Sequence, residues 1–93
     1  MISKGSKKGT TRFSFKPKKN SVKKVAVVGS FNDWEPVVMR KQKDGSFMAT
    51  LDLKPGCSYE YKFIVDDQWQ LDPDNPSWAP NPFGTMNSVA RAE

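Results

Sequence analysis

The chain of 93 residues contains no histidine, a single cysteine and no long apolar run. Each absence removes a class of function. Without an imidazole, neither Cys57 nor any serine has the base that commonly activates a nucleophile. Without histidine or a second cysteine, the usual zinc donor sets are missing, so no metal and no cofactor is expected. One cysteine cannot close an intramolecular disulfide. The amino-terminal "MISKGSKKGTT" also lacks the apolar segment of a secretory signal. Together these lead to the expectation of a reducing, cytoplasmic setting. A membrane-spanning helix needs about 20 consecutive apolar residues, and no stretch approaches that length.

Acidic residues are missing from one end. Residues 1–24 carry nine Lys or Arg and no Asp or Glu, whereas the remaining 69 residues carry six basic and ten acidic side chains. The overall charge of +5 is therefore a property of the amino-terminal end. A basic segment can bind a polyanion. It can equally be a solvated tail leading into an edge strand, where lysines discourage edge-to-edge pairing. No aromatic residue is interleaved before Phe13 and no recognition helix follows, which argues against a specific nucleic-acid reader. Residues 1–10 are expected to form a flexible basic arm, and residues 11–93 a single domain.

What the chain does have is hydrophobic residues at 37% and aromatics at 12%, enough for one small globular core. Sustained helical periodicity is absent. Short apolar segments alternate with Gly, Pro, Asn and Asp, the pattern of an all-β sandwich or barrel. The segments "TRFSFK", "VKKVAVV", "VVMRK", "SFMATLDL", "SYEYKFIV", "WQL" and "TMNSVA" suggest about seven strands. Phe13 and Phe15 share a face, as do Tyr61, Phe63 and Val65. Phe47, Leu51, Tyr61 and Phe63 are the expected core. The stretch "DPDNPSWAPNPFG" is too rich in proline to be a central strand.

One hairpin can be placed by arithmetic. If Asp66 and Asp67 form a two-residue loop, Val65 faces Gln68, Ile64 faces Trp69 and Phe63 faces Gln70. Directly opposite residues share a face of the sheet. Trp69 then lies with Lys62 and Ile64, on the face opposite Tyr61, Phe63 and Val65. The register sets Gln70 against the core side, which is acceptable only at a rim. An outward indole beside an outward lysine suits a sugar. The flat ring buries the apolar face of a pyranose, and the ammonium donates to rim hydroxyls. The plainer alternative is that Trp69 packs under the proline-rich loop and Lys62 is solvated. A second tryptophan, Trp34, sits in the polar turn "GSFNDWEP", either plugging the end of the core or offering a stacking surface.

The segments "VAVVGSFNDWEP", "YEYKFIVDDQWQLDPDNP" and "FGTMNSV" occur in the order found in a known family. They resemble the glycogen-binding domain of the AMP-activated protein kinase β subunit. More broadly they are similar to carbohydrate-binding module family 48, which includes the early-set domains of isoamylases and glycogen branching enzymes. The similarity runs from about Val25 to Val89. It implies an immunoglobulin-like (early-set) antiparallel β-sandwich. It also implies a carbohydrate site at Trp34, Lys62, Trp69, Phe83, Thr85 and Asn87. Asp67 replaces the glycine of the family's hairpin, and Phe83 replaces a leucine. Trp78 has no counterpart and is either a further stacking surface or an anchor for its loop. Two indoles set apart on one surface would cradle a curved chain such as α-1,4-glucan rather than a flat one such as cellulose.

The expectation is therefore a non-catalytic module for glycogen- or starch-type α-glucan. It would act alone or beside a partner protein or a parent glucan-metabolising enzyme. The alternative is an early-set domain that binds a protein partner and no sugar. The first requires Trp34, Lys62 and Trp69 exposed on one surface; the second requires at least one buried tryptophan. An enzyme is not expected. Glycoside hydrolysis needs two carboxyl groups facing each other at about 5–9.5 Å, and Asp66, Asp67, Asp72 and Asp74 all fall in turn contexts.

Overall fold

A computed structural model describes residues 2–4, 9–18, 21–82 and 84–92 as a β-sandwich. Its ten strands are β1 (Ile2–Lys4), β2 (Thr10–Phe15), β3 (Val25–Gly29), β4 (Val37–Val38), β5 (Arg40–Lys41), β6 (Phe47–Asp52), β7 (Ser58–Val65), β8 (Gln68–Gln70), β9 (Trp78–Pro80) and β10 (Met86–Arg91). One sheet runs β1-β2-β6-β5. The other runs β4-β3-β7-β10-β9, with β8 also paired to β7. Every pairing is antiparallel.

Three features raise the strand number above the seven expected. First, Ile2–Lys4 pairs with β2, Ile2 opposite Phe13, and Ile2 packs against the core. These three residues are therefore an edge strand and not part of a free arm; residues 5–8 lie outside the described set. Second, "VVMRK" is two strands in different sheets. Met39 is buried between them, and its N–H donates to the Val25 carbonyl at 2.8 Å. Third, Trp78–Pro80 pairs with β10 from the sheet's edge, where proline is tolerated because no further strand needs its missing N–H.

The core follows from alternation. Phe13, Phe15, Phe47, Tyr61 and Phe63 are buried, with Val25, Val27, Met39, Leu53 and Ala90. Phe13 meets Tyr61 edge-on at 4.9 Å between ring centres, and Phe15 meets Phe63 at 5.3 Å. Such tilted pairs add to the area they bury. Of the four core residues expected, Leu51 is corrected. It is only partly buried against the cluster, and Leu53, two residues on, takes the buried place.

The core also holds a closed polar cluster. Tyr61 Oη donates to Asp72 Oδ2 at 2.6 Å and accepts from Asn75 Nδ2 at 3.0 Å. Ser88 Oγ accepts the Asp72 N–H at 3.0 Å, and Asn75 Nδ2 also reaches the Val89 carbonyl at 2.9 Å. Tyr61, Asp72, Asn75 and Ser88 are all buried. Burial first, and then the Asp72 carboxylate, hold the Tyr61 phenol far above its ordinary range. The cluster ties the "LDPDNP" loop to β7 and β10, which fixes where the next segment, residues 77–87, begins.

Candidate functional site

The β7–β8 hairpin has the register derived above: Val65 opposite Gln68, Ile64 opposite Trp69, Phe63 opposite Gln70. Asp66 and Asp67 both adopt left-handed φ, 47° and 70°. That is the pair of conformations a two-residue hairpin turn of the primed type demands. Asp66 serves a second purpose. Its carboxylate accepts the N–H groups of Lys23 and Lys24 at 3.0 and 2.8 Å, stapling the hairpin to the start of β3. Gln70 is exposed on the short strand β8.

Strand β7 changes partners along one edge. β10 pairs with Ser58–Tyr61 and β8 pairs with Phe63–Val65. Lys62 stands at the gap, where β8 and β10 part. Glu60, Lys62 and Ile64 alternate to the outer face of the sheet, and Trp69, opposite Ile64, joins them. Asn87, one residue from the inward Ser88, points to the same face from β10.

Trp34 reaches this face from the loop after β3. Gly29 allows that loop to leave: a Cβ there would sit 2.7 Å from the Glu60 carbonyl oxygen and closer still to the Phe31 ring. The loop is a 3-10 turn over Ser30–Asn32 followed by two left-handed residues, Asp33 at φ 59° and Trp34 at φ 63°. Such conformations cost non-glycine residues roughly 1–3 kcal/mol each and persist only when surrounding contacts hold them. Here Trp34 N–H donates to the Gly29 carbonyl at 2.9 Å and Asn32 Nδ2 to the Glu35 carbonyl at 3.0 Å. The Glu60 N–H donates to Ser30 Oγ at 3.1 Å, fastening the loop to β7.

The result is an open groove of about 670 Å³ lined by Trp34, Lys62, Trp69, Asn81, Pro82, Thr85 and Asn87. Its volume falls in the range of clefts that hold small organic ligands. Five of the six residues singled out from the sequence line it; Phe83 lies outside the described residues. Trp34 is 37% exposed and Trp69 59%, large values for indoles. Asn81 and Pro82 were not singled out. Their signal lay in "NPFGT", where Asn81 and Thr85 flank a turn. The Asn81 N–H donates to the Thr85 carbonyl at 2.9 Å, and the Gly84 N–H donates to the Asn81 carbonyl at 3.2 Å. Along the polar side, Lys62 Nζ donates to Thr85 Oγ1 at 3.1 Å and Asn87 Nδ2 to Glu60 Oε1 at 3.1 Å.

Trp78 is 58% exposed but does not line the groove. It stands opposite Ser88, so the register sends it to the other side of the sheet from Asn87. Its indole N–H donates to the Asn75 carbonyl at 3.1 Å, the contact of a loop anchor.

Residues 10–93 match the family model described as the glycogen recognition site of AMP-activated protein kinase. The β-1 subunit of 5'-AMP-activated protein kinase from Sus scrofa is 37% identical over 71 residues, 76% of this chain and 56% of that relative. The human β-2 subunit is 39% identical over 67 residues, 72% of this chain and 24% of the relative. The chloroplastic protein PTST homolog 2 of Arabidopsis thaliana is 47% identical over 58 residues, 61% of this chain and 11% of the relative. The chain thus spans between about a tenth and just over half of these proteins. Among solved structures, apo pullulanase from Paenibacillus barengoltzii shares the fold, with a TM-score of 0.58 and 22% identity over 96% of this chain and 14% of that one.

Proposed function

The chain belongs to the family of the AMP-activated protein kinase glycogen recognition site, and from that premise we propose that it is a non-catalytic module that binds α-glucan of the glycogen or starch type. The observation that carries the reading is the meeting of Trp34, Trp69 and Lys62 in one open groove. Stacking a pyranose on an indole buries the apolar face of the sugar and leaves its hydroxyls at the rim. The Lys62 ammonium, Thr85 and Asn87 line the same groove and are the polar groups proposed to meet those hydroxyls. Phe83 is proposed as an apolar wedge on the family pattern alone.

Of the readings left by the sequence, the sugar-free early-set domain needs a buried tryptophan. The exposure of Trp34, Trp69 and Trp78 speaks for the glucan module instead. The absence of histidine from the sequence supports a binding role rather than catalysis. We further propose that the module localises a partner protein, or the remainder of a longer chain, to glucan. The single cysteine supports a reducing compartment such as the cytoplasm.

Electrophoresis in native gels cast with and without glycogen tests the reading. The protein is expected to be retarded by glycogen relative to a non-binding marker. Equal migration in the two gels would sink the proposal.

A further inference from the structure

The polar side of the groove is held by hydrogen bonds that all run in definite directions. Thr85 Oγ1 accepts from two donors, Lys62 Nζ at 3.1 Å and Asn81 Nδ2 at 2.6 Å. A hydroxyl oxygen has two acceptor lone pairs and one proton. Both lone pairs are occupied, and among the described residues no acceptor takes the proton. Thr85 borders the groove and is exposed, so the proton is free to point into it.

Asn81 enforces this arrangement. One Nδ2 hydrogen goes to Thr85 Oγ1 and the other to Asn87 Oδ1 at 3.0 Å, while its Oδ1 accepts the Thr85 N–H at 3.1 Å. Reversing the amide would set Nδ2 against the Thr85 N–H and Oδ1 against Asn87 Oδ1, two clashes of like with like. Asn87 is oriented in turn, because its Nδ2 donates to the Glu60 carboxylate at 3.1 Å. The order therefore runs from the Glu60 carboxylate through two amides to the Thr85 hydroxyl. The side chain of Asn81 spends its two amide hydrogens within the protein, so its part is to aim its neighbours.

We infer that Asn81 is a positioning residue that holds the Thr85 hydroxyl as a hydrogen-bond donor toward the ligand, so that this point of the groove selects an acceptor oxygen of the sugar. The inference rests on the glucan reading above and deepens it.

The test is a double-mutant cycle read by calorimetric titration with maltoheptaose, with thermal melts as the folding control. Asn81→Asp keeps an acceptor for the Thr85 N–H but loses both donors. Its carboxylate captures the Thr85 proton and repels Asn87 Oδ1. Affinity is expected to fall about five- to tenfold, the size of one net hydrogen bond. In a Thr85→Val background the same change should cost less than about threefold, because the hydroxyl it aims is gone. A loss of equal size in both backgrounds means Asn81 only supports the loop and overturns the inference; so does parent-like binding by Asn81→Asp. If the aspartate variant does not fold, Asn81→Ala gives the same comparison without the added charge, and the same outcomes decide. A parent protein that binds no maltoheptaose overturns the glucan reading itself, and this inference with it.

Discussion

Tyr61 and Lys62 are neighbours on β7, Ser88 and Asn87 are neighbours on β10, and each pair divides between two hydrogen-bonded clusters on opposite faces of one sheet. Both clusters contain a carboxylate, one or two amides and at least one hydroxyl, and the outer one adds the Lys62 ammonium. The inner one, Tyr61 with Asp72, Asn75 and Ser88, is closed. The phenol both donates and accepts, and Asp72 also takes the Asp74 N–H at 3.0 Å. The outer one, Lys62 with Thr85, Asn81, Asn87 and Glu60, leaves donors facing the groove. Burial explains the difference. An unpaired polar group away from water costs several kcal/mol, so the inner set must satisfy itself. In the outer set Asn87 is also buried and paired with Asn81 and Glu60, but Lys62 and Thr85 at the groove can leave capacity unspent, and that capacity is what a ligand uses.

Breaking the inner cluster should produce the largest effect. Asp72→Ala strips the Tyr61 hydroxyl of its acceptor in a buried place and releases the proline-rich loop. The expected loss of stability is on the order of 3 kcal/mol, read by urea denaturation. Glucan affinity of the molecules that remain folded should fall as well, because the released loop leads into the groove residues Asn81 and Pro82. A variant as stable as the parent would show that the cluster is dispensable.

The converse experiment is Trp69→Ala. Trp69 leaves no core cavity, since the hairpin register turns it outward. The melting temperature should stay within a few degrees. Affinity for maltoheptaose should fall by about 1.5–3 kcal/mol, roughly ten- to a hundredfold. Unfolding of this variant, or unaltered binding, would erase the proposed division of labour between the faces.

Alkaline pH sharpens the comparison further. The Tyr61 phenol is held above its ordinary value in the folded state, so its contribution is complete below about pH 10, where the unfolded chain still keeps its proton. Above that, the unfolded state loses the proton and the folded state does not. Stability should decline on the order of 1 kcal/mol per pH unit from this group. Tyr61→Phe, although less stable at neutral pH, should lack this component of the decline in denaturant titrations between pH 9 and 11. An identical slope in the two proteins would refute the assignment.

The smallest effect is expected from Trp78→Ala. Its indole is as exposed as that of Trp69 but lies on the other side of the sheet, hydrogen-bonded to the Asn75 carbonyl. Affinity should stay within about twofold of the parent, with a modest drop in melting temperature from the lost anchor, on the order of 1 kcal/mol. A tenfold loss of binding would show that the groove extends around the edge strand.

Alternation and turn chemistry made most of the fold legible. The two-residue hairpin at Asp66-Asp67 sets Trp69 on the face of Lys62, because a strand's side chains alternate with period two and a loop length dictates register. The crossing of "VVMRK" between sheets was not legible. Val37, Val38, Arg40 and Lys41 read as one continuous strand, and only the packing of Met39 between the layers divides them. β1 was missed because a lone Ile2 among lysines carries no periodicity; it is the edge of β2 that recruits it.

The sequence by itself determined the all-β class, the aromatic core face and the outward direction of Trp69, since these depend on local period and turn residues. Only tertiary structure decided that β10 and β8 part at Lys62, that the loop carrying Trp34 folds over the same face, and that Asn81 lies within hydrogen-bonding distance of Thr85 and Asn87. Those facts depend on which strands lie side by side and how loops close across them. Such choices are settled by contacts between residues far apart in the chain, which no local pattern encodes.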